Sequence, residues 1–222
     1  MAADEDTYWG RFARTYDRDT DYVVGRTLRR TLFRMVAAER EPGHVLECGC
    51  GAGFFTRALV GRALSIVATD LSGKMLAAAR ERLKDLPGIS FLQTDCEGLI
   101  FSPTTFDTVL MANVLNTVSR PLQALREAHR VLKYGGVLIA VAYTDYGVDV
   151  LEKIEIGKRY LEKFGPPPSE GLINYSPQQL ESLVRKAGFD IGCCEVLEDK
   201  AKAIYVRAIK NVMVCDGEAV IS

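Results

Sequence analysis

The chain has 222 residues, of which 48% are apolar and 26% charged, a length and balance typical of one soluble globular domain. Its 28 Lys and Arg against 29 Asp and Glu give a net charge of -1, which argues against a nucleic-acid partner because such proteins need a basic surface. No apolar run reaches the ~20 residues needed to cross a bilayer, and the acidic start is unlike a signal peptide. We therefore expect a cytoplasmic protein without a membrane span.

The first forty residues lie outside any strand pattern. Residues 4–21 are polar with interspersed aromatic residues, and residues 22–38 have the pattern of a basic amphipathic helix. We interpret the arginines of that helix as a solvated face, with a lid hinge or a site for an acidic substrate as alternatives: Arg26, Arg29, Arg30 and Arg34.

From Gly43 onward, short runs rich in Val, Ile and Phe alternate with helical patterns. This alternation predicts an α/β, Rossmann-like fold with a mostly parallel sheet and helices on both faces. A helix begins at the N-cap Ser72, and another covers residues 121–133. Five strands are predicted at residues 44–48, 64–69, 89–93, 106–112 and 137–142.

The alternation stops after the fifth strand. Residues 149–164 predict an amphipathic helix within an insertion over residues 146–176, and a further helix begins at Ser176. Strands at residues 189–196 and 203–209 are joined by a connection too short for a helical crossover, so they must pair antiparallel and complete a seven-stranded sheet. We expect one domain over residues 1–222, with four parts at residues 1–40, 43–143, 146–176 and 177–210.

A glycine-rich turn follows the first strand. Gly49, Gly51 and Gly53 alternate with small residues between that strand and a helical pattern. Glycine lets the backbone approach a ligand closely, and the helix N-terminus offers free N–H groups. The acidic Glu47 before the turn suits a ligand with an ammonium group or hydroxyls, and would repel a pyrophosphate.

Polar residues also end the other strands. Asp70 ends the second strand, where a doubly wound sheet places an acid against a ribose diol. Asp95 and Cys96 follow the third strand, and Asn113 follows the fourth. The carboxyl ends of such strands bind ligands in open α/β sheets, so we expect these residues to share one site.

Together these segments resemble the class I S-adenosylmethionine-dependent methyltransferases, and in particular the small-molecule type that includes the ubiquinone and menaquinone C-methyltransferases. The resemblance covers about residues 8–210. It implies a small-molecule acceptor, S-adenosylmethionine as cofactor and S-adenosylhomocysteine as product, in a monomer or homodimer. The matching segments are residues 45–53, 69–72 with Met75-Leu76, Asp95-Cys96, Phe106-Asp107, residues 130–133 with Gly135-Gly136, and residues 12–17.

The resemblance assigns the glycine turn and Asp70 to the methionine and ribose parts of the cofactor. Gly49, Cys50 and Gly51 would line the methionine moiety, with Glu47 acting on its ammonium group. Asp70 would accept hydrogen bonds from both ribose hydroxyls. Glu47 departs from the commoner Asp by one methylene.

The resemblance assigns the adenine to the ends of the second and third strands. Leu71 would pack against the adenine, Asp95 would accept from its amino group, and the Cys96 N–H would donate to a ring nitrogen. Asn113 would place a carbonyl beneath the sulfonium, and Tyr16 would close over the cofactor.

Methyl transfer from a sulfonium needs alignment more than a dedicated base, so no catalytic constellation is required. If the acceptor must lose a proton, the candidates are Tyr143, Asp145, Tyr146 and Tyr22. Asn116 stands where many relatives have His, so no acid–base role is carried over to it. Six aromatic residues could form an apolar pocket for a hydrophobic or aromatic acceptor: Tyr8, Trp9, Phe12, Tyr160, Phe164 and Tyr175.

Two other functions compete with this interpretation. A nicotinamide-dependent oxidoreductase also has a glycine turn and an acid after the second strand, but its glycine spacing is wider. A cofactor-binding regulator without catalysis is the second alternative. The cysteines are too scattered for a disulfide scaffold or a metal site, so we expect free thiols at Cys48, Cys50, Cys96, Cys193, Cys194 and Cys215.

Overall fold

A computed structural model describes residues 8–168, 171–211, 214–215 and 218–219. A 3-10 turn at Trp9–Phe12 precedes the helices, and none of the described helices is long and apolar enough to cross a membrane. The helices are α1 (Tyr16–Val24), α2 (Arg26–Ala37), α3 (Thr56–Leu59), α4 (Gly73–Leu83), α5 (Pro121–Val131), α6 (Val150–Phe164) and α7 (Pro177–Lys186). The strands are β1 (His44–Cys48), β2 (Ser65–Asp70), β3 (Ile89–Gln93), β4 (Phe106–Ala112), β5 (Leu132–Thr144), β6 (Phe189–Glu198), β7 (Lys202–Lys210), β8 (Val214–Cys215) and β9 (Glu218–Ala219).

The first seven strands form one sheet in the order β3-β2-β1-β4-β5-β7-β6. Strands β1 to β5 pair in parallel, whereas β7 runs antiparallel to both β5 and β6. The predicted Rossmann-like sheet with one antiparallel strand is therefore confirmed. The order reverses beside β1, and this switch point leaves a crevice at the carboxyl ends of β1 and β4.

Both faces of the sheet are buried. Leu46 and Met111 pack on the side of α5 and α7, whereas Val45 and Leu110 pack on the side of α2 and α3. Neighbouring residues of one strand thus belong to opposite cores. This explains why consecutive residues of β1 (residues 45–46) and β4 (residues 109–112) are apolar, as expected for parallel strands covered on both sides.

The N-terminal prediction is wrong in one respect. The helix predicted over residues 22–38 begins only at Arg26, and the polar stretch before it contains a separate helix, α1. Two aspartates in the first turn of α1 suit the helix dipole. Thr20, Val23 and Val24 form its buried stripe. Residues 4–7 of the predicted polar stretch lie outside the described residues.

The other predicted elements agree with the structure within about two residues at most ends. The exception is β5, which begins at Leu132 instead of residue 137, because the backbone of Leu132 is already extended and pairs with Phe106. Helix α5 therefore ends at Val131, two residues before its predicted end. Asp149 caps α6, and Ser176 forms a capping box with Gln179 at the start of α7.

Gly25 makes the sharp turn between α1 and α2. Its φ of +98° is a conformation that other residues avoid, and a Cβ there would overlap the carboxylate of Asp199. The same carboxylate accepts a hydrogen bond from the Leu28 N–H at 3.3 Å. The turn between β6 and β7 therefore fixes the position of the N-terminal helices.

Replacing Gly25 with Ala should lower the free energy of unfolding by about 1–3 kcal/mol, the usual cost of a strained backbone position. Denaturant unfolding followed by circular dichroism measures this. Gly157 lies in α6 with open space around its missing Cβ, so Gly157→Ala is the control and should stabilise the protein by about 0.5–1 kcal/mol. Equal effects of the two substitutions would contradict the role assigned to the turn.

Candidate functional site

Two adjoining cavities lie at the carboxyl ends of the strands. The first cavity has a volume of about 290 Å³ and lies over the glycine turn after β1. The second cavity, of about 260 Å³, lies between α1, α6 and the segment after β5. Both cavities share six lining residues and therefore form one continuous site: Trp9, Tyr16, Thr20, Asn113, Thr117 and Tyr143.

Asp70 organises the floor of the first cavity. Its Oδ2 accepts a hydrogen bond from the Gly51 N–H at 2.9 Å, and its Oδ1 accepts from the Ser72 N–H at 2.8 Å. The carboxylate thus joins the glycine turn to the start of α4. Each carboxylate oxygen can accept more than one hydrogen bond, and Asp70 lines the first cavity.

The glycine at position 49 is required by its neighbours as well as by its conformation. Its φ is +70°, and a Cβ there would lie 2.9 Å from the side chain of Val114. The turn therefore passes directly beneath the loop that follows β4. The backbone of Gly49 and the side chain of Val114 therefore lie next to each other in the lining of the first cavity.

Glu47 is buried directly beneath the turn, with 1% of its surface exposed. It does not line either cavity, and its Oε2 accepts a hydrogen bond from the Thr56 hydroxyl at 2.5 Å. Loss of hydration raises the pKa of this carboxyl group from 4.5 to about 8, with a smaller contribution from the negative charge of Asp70. At neutral pH Glu47 is therefore largely a protonated hydrogen-bonding group.

The ends of β2 and β3 close the far side of the first cavity. Leu71, Asp95 and Cys96 line it, and Asp95 Oδ1 accepts a hydrogen bond from the Glu97 N–H at 2.8 Å. Leu71 is 58% exposed, which leaves an apolar surface open for a flat ligand. Of the ten residues that the sequence assigns to the cofactor, nine line the first cavity and Glu47 does not.

Asn113 and Tyr143 form the wall between the cavities. Asn113 adopts a φ of +58°, and its Oδ1 accepts a hydrogen bond from the Tyr143 N–H at 3.1 Å. Burial raises the pKa of Tyr143, and burial together with Tyr143 raises that of Tyr16 to about 12. Both phenols therefore stay protonated at neutral pH.

Comparison with known proteins agrees with this geometry. A family model described as a methyltransferase domain matches residues 46–140. A ubiquinone/menaquinone biosynthesis C-methyltransferase of Sinorhizobium fredii is 30% identical over 202 residues, which cover 81% of this chain and 78% of that protein. The chain belongs to the class I S-adenosylmethionine-dependent methyltransferases.

Other similar proteins extend the comparison. A malonyl-[acyl-carrier protein] O-methyltransferase of a Paenibacillus species is 29% identical over 94% of this chain and 80% of that protein. A Thermotoga maritima structure, described as a possible histamine N-methyltransferase, has a TM-score of 0.72 at 24% identity over 92% of this chain and 99% of that chain. The alignment with a Rhizobium leguminosarum C-methyltransferase spans only 60% of that protein.

The family to which this chain belongs uses S-adenosylmethionine, which is therefore the cofactor of this protein.

Arg29 lines the first cavity, whereas the sequence interpretation predicts a solvated face for it. Its side chain is 3% exposed, pairs with Asp17 and Asp21 at 2.6 and 2.8 Å, and lies 3.8 Å from the centre of the Phe54 ring. The other three arginines of the group are exposed, as expected. Arg29 lies three and seven residues before Leu32 and Val36, the buried residues of α2 that share its helical register. This register is the sequence signal that separates Arg29 from the exposed arginines.

The four candidate proton acceptors divide into two groups. Tyr143 and Asp145 line the second cavity, and Asp145 lies 3.3 Å from the ammonium of Lys153. Tyr22 and Tyr146 line neither cavity and are 41% and 48% exposed. The Tyr22 hydroxyl instead donates to Glu162 at 2.8 Å, so these two tyrosines face away from the site.

The predicted aromatic residues lie around the second cavity with one exception. Trp9, Tyr160 and Phe164 line it, and Tyr8 packs against them. Phe12 meets the edge of Phe164 at 5.2 Å. The exception is Tyr175, which lies in the opposite core and whose hydroxyl donates to the Leu115 carbonyl at 3.0 Å.

The cysteines near the site are buried, unreactive thiols. Burial raises the pKa of Cys48, Cys50 and Cys96 above its usual value. Cys193 and Cys194 pack into opposite cores of the sheet, as alternation along β6 predicts. The thiol of Cys215 lies outside the described side chains.

The raised pKa of Glu47 should make the stability of the protein depend on pH. Between the ordinary value of 4.5 and about 8, the unfolded chain ionises this group while the folded chain keeps it protonated. Stability is therefore lost as the pH rises through this window. Glu47→Gln, which keeps the oxygen that accepts from Thr56, should remove the loss, by at most about 1.4 kcal/mol for each pH unit.

Chemical denaturation across the window measures this effect. The stability advantage of Glu47→Gln over the wild type should grow as the pH rises from 4.5 to 8. Glu41 is exposed, so Glu41→Gln should show no such growth. An advantage that stays constant with pH would contradict the buried, protonated state.

Proposed function

We propose that this methyltransferase transfers the methyl group of S-adenosylmethionine to a small hydrophobic or aromatic acceptor held in the second cavity. The observation that carries the proposal is the shared wall, since Tyr16, Asn113 and Tyr143 line both cavities. Two molecules bound in adjoining cavities could therefore bring their reacting atoms together. Apolar side chains form most of the second cavity: Trp9, Val23, Val24, Ile156, Tyr160, Phe164, Leu172, Ile173 and Ala201.

The residues of the first cavity fit the cofactor. Asp70 offers its carboxylate to the ribose hydroxyls, and the exposed Leu71 offers an apolar face to the adenine. On this proposal Asp95 accepts from the adenine amino group and the Cys96 N–H donates to a ring nitrogen, which is supported by both residues lining the first cavity. The backbone of the glycine turn would line the methionine part.

The charged end of the methionine part has a counterpart in Arg29. Its guanidinium lines the first cavity, and its Nε has no hydrogen-bond partner within the structure. An α-carboxylate is the cofactor group that matches a guanidinium. Glu47, behind the turn, would act on the ammonium group only through an intervening water or backbone group because it does not line the cavity.

The cofactor supplies an electrophilic methyl group that already carries its leaving group. The protein aligns the acceptor for in-line displacement and excludes water, and such positioning contributes about 7–11 kcal/mol to lowering a barrier. Tyr16 and Trp9 cover both cavities from the N-terminal side. The raised pKa of Tyr143 keeps its phenol protonated, so it serves as a hydrogen-bond donor rather than as a base.

Calorimetric titration tests the cofactor assignment directly. S-adenosylmethionine and S-adenosylhomocysteine should bind with micromolar affinity, and NAD should not bind. Incubation with S-adenosylmethionine and a panel of phenols, indoles and aromatic amines should then yield S-adenosylhomocysteine. Binding without turnover of any acceptor would favour a regulatory module, and binding of NAD alone would favour an oxidoreductase.

Replacing Asp70 with Asn should weaken the binding of S-adenosylmethionine about 10- to 100-fold. The amide keeps only one acceptor oxygen for the two backbone N–H groups that Asp70 binds. It also removes the negative charge that would accept from the ribose hydroxyls, and a hydrogen bond to a charged group contributes about 1.5–3 kcal/mol. Asp85 is exposed and lines neither cavity, so Asp85→Asn is the control. Unchanged affinity of a folded Asp70→Asn protein would remove the ribose assignment.

A further inference from the structure

Several buried polar atoms of the described residues have no hydrogen-bond partner, and four of them belong to residues that line the cavities: Asp17 Oδ2, Thr20 Oγ1, Arg29 Nε and Asn116 Oδ1. Asp17 Oδ2 is nevertheless ion-paired with the Arg82 guanidinium. A buried polar atom without a partner is costly, so its presence needs an explanation. Arg29 faces the cofactor cavity, whereas Asn116 lines only the second cavity.

The orientation of the Asn116 amide is fixed by its own hydrogen bonds. Nδ2 donates to the Tyr143 carbonyl at 3.1 Å and to the Ile173 carbonyl at 2.6 Å. Both partners are acceptors, so only the NH₂ group of the amide can face them. Oδ1 therefore points to the opposite side of the amide, in a residue that lines the second cavity and is 9% exposed.

The backbone around Asn116 makes this orientation rigid. The Ile173 N–H donates to the Asn116 carbonyl at 2.9 Å, so the two residues are joined in both directions. The Tyr175 hydroxyl donates to the Leu115 carbonyl at 3.0 Å. The amide cannot turn to satisfy Oδ1 without breaking the contact between the loop after β4 and the insertion.

The charges of the second cavity define what kind of ligand group suits Oδ1. None of the described residues that line this cavity is Lys or Arg. Its one carboxylate, Asp145, is already paired with Lys153. An anionic group would therefore be buried without a counter-ion, whereas a neutral hydroxyl or N–H would meet an unoccupied acceptor.

We propose that Asn116 Oδ1 accepts a hydrogen bond from a neutral hydroxyl or N–H group of the methyl acceptor. Asn116 is then a specificity-determining residue that selects acceptors with such a donor over molecules of the same shape that lack one. A site built in this way rejects the analogue because its own polar atom is left unpaired. The inference rests on the proposed function, since the second cavity must be the acceptor site.

Pairs of small aromatic probes test the selection in the holoenzyme. Protein saturated with S-adenosylhomocysteine is titrated calorimetrically with indole and with benzofuran, which have the same bicyclic shape but only one of which has an N–H. Phenol and fluorobenzene form a second pair. Indole and phenol should bind about tenfold more tightly than their partners, the effect of one buried hydrogen bond.

Two substitutions separate the hydrogen bond from the structural contact. Asn116→Leu removes both functions of the amide, and the preference should fall to within about twofold. Asn116→Asp is titrated at about pH 5, where burial keeps its carboxyl group protonated; its OH can then donate to a backbone carbonyl while its other oxygen remains an acceptor, so the preference should remain. Thr117 also lines the cavity, but its hydroxyl already donates to the Val114 carbonyl at 2.9 Å; Thr117→Val is the matched control and should keep the preference.

The outcomes distinguish this inference from the function on which it rests. If S-adenosylhomocysteine does not bind, the proposed function fails. If it binds but neither probe pair is discriminated, or no probe binds, the role of Asn116 is overturned while the cofactor assignment stands. If the Leu and Asp variants both lose the preference, Asn116 only positions Ile173 and the inference is overturned.

Discussion

Both cavities depend on the buried guanidinium of Arg29. It donates to the Asp17 carbonyl and carboxylate, each at 2.6 Å, and to the Asp21 carboxylate at 2.8 Å, and so ties α2 to α1. Helix α1 in turn brings Tyr16 and Thr20 to both cavities. Removing one partner of such a buried ion pair leaves a charge without compensation. The cover of the active site is therefore part of the folded core rather than a loosely attached surface element.

The two halves of the site have different structural origins. The first cavity is built from strand ends and turns of the parallel sheet, such as Asp70 and the turn at Gly49, whose geometry the fold itself imposes. The second cavity is closed by segments outside the alternation of strands and helices. The Thr144 hydroxyl donates to the Tyr175 carbonyl at 2.6 Å, which fastens the insertion to the end of β5. Apart from the six residues that line both cavities, the two halves of the site therefore have separate structural supports.

The sequence predicts the parts built from sheet strands and their ends better than the parts held by tertiary contacts. The bounds of most strands, though not the start of β5, could be predicted because buried parallel strands are largely apolar. The nine predicted residues that line the first cavity could be predicted because strand ends hold ligands in such sheets. The ion pairs that stabilise the buried Arg29, and the contact of Asp199 with the turn at Gly25, could not be predicted, because both are tertiary contacts that no local pattern encodes. Glu47 lies two residues before Gly49, which predicts a side chain close to the ligand. Its carboxyl group instead points beneath the turn, where it accepts a hydrogen bond from Thr56.

The protonation states around the second cavity constrain the chemistry of the acceptor. Burial keeps the phenols of Tyr16 and Tyr143 protonated, and the Asp145 carboxylate is paired with Lys153. The described lining residues thus provide hydrogen-bond partners but no strong unpaired base. On our proposal, the acceptor must therefore bring a nucleophilic atom that reacts without prior loss of a proton, or loses it as the new bond forms. The protein then acts by orienting that atom, and a fixed acceptor such as Asn116 Oδ1 orients a donor group more precisely than apolar walls alone.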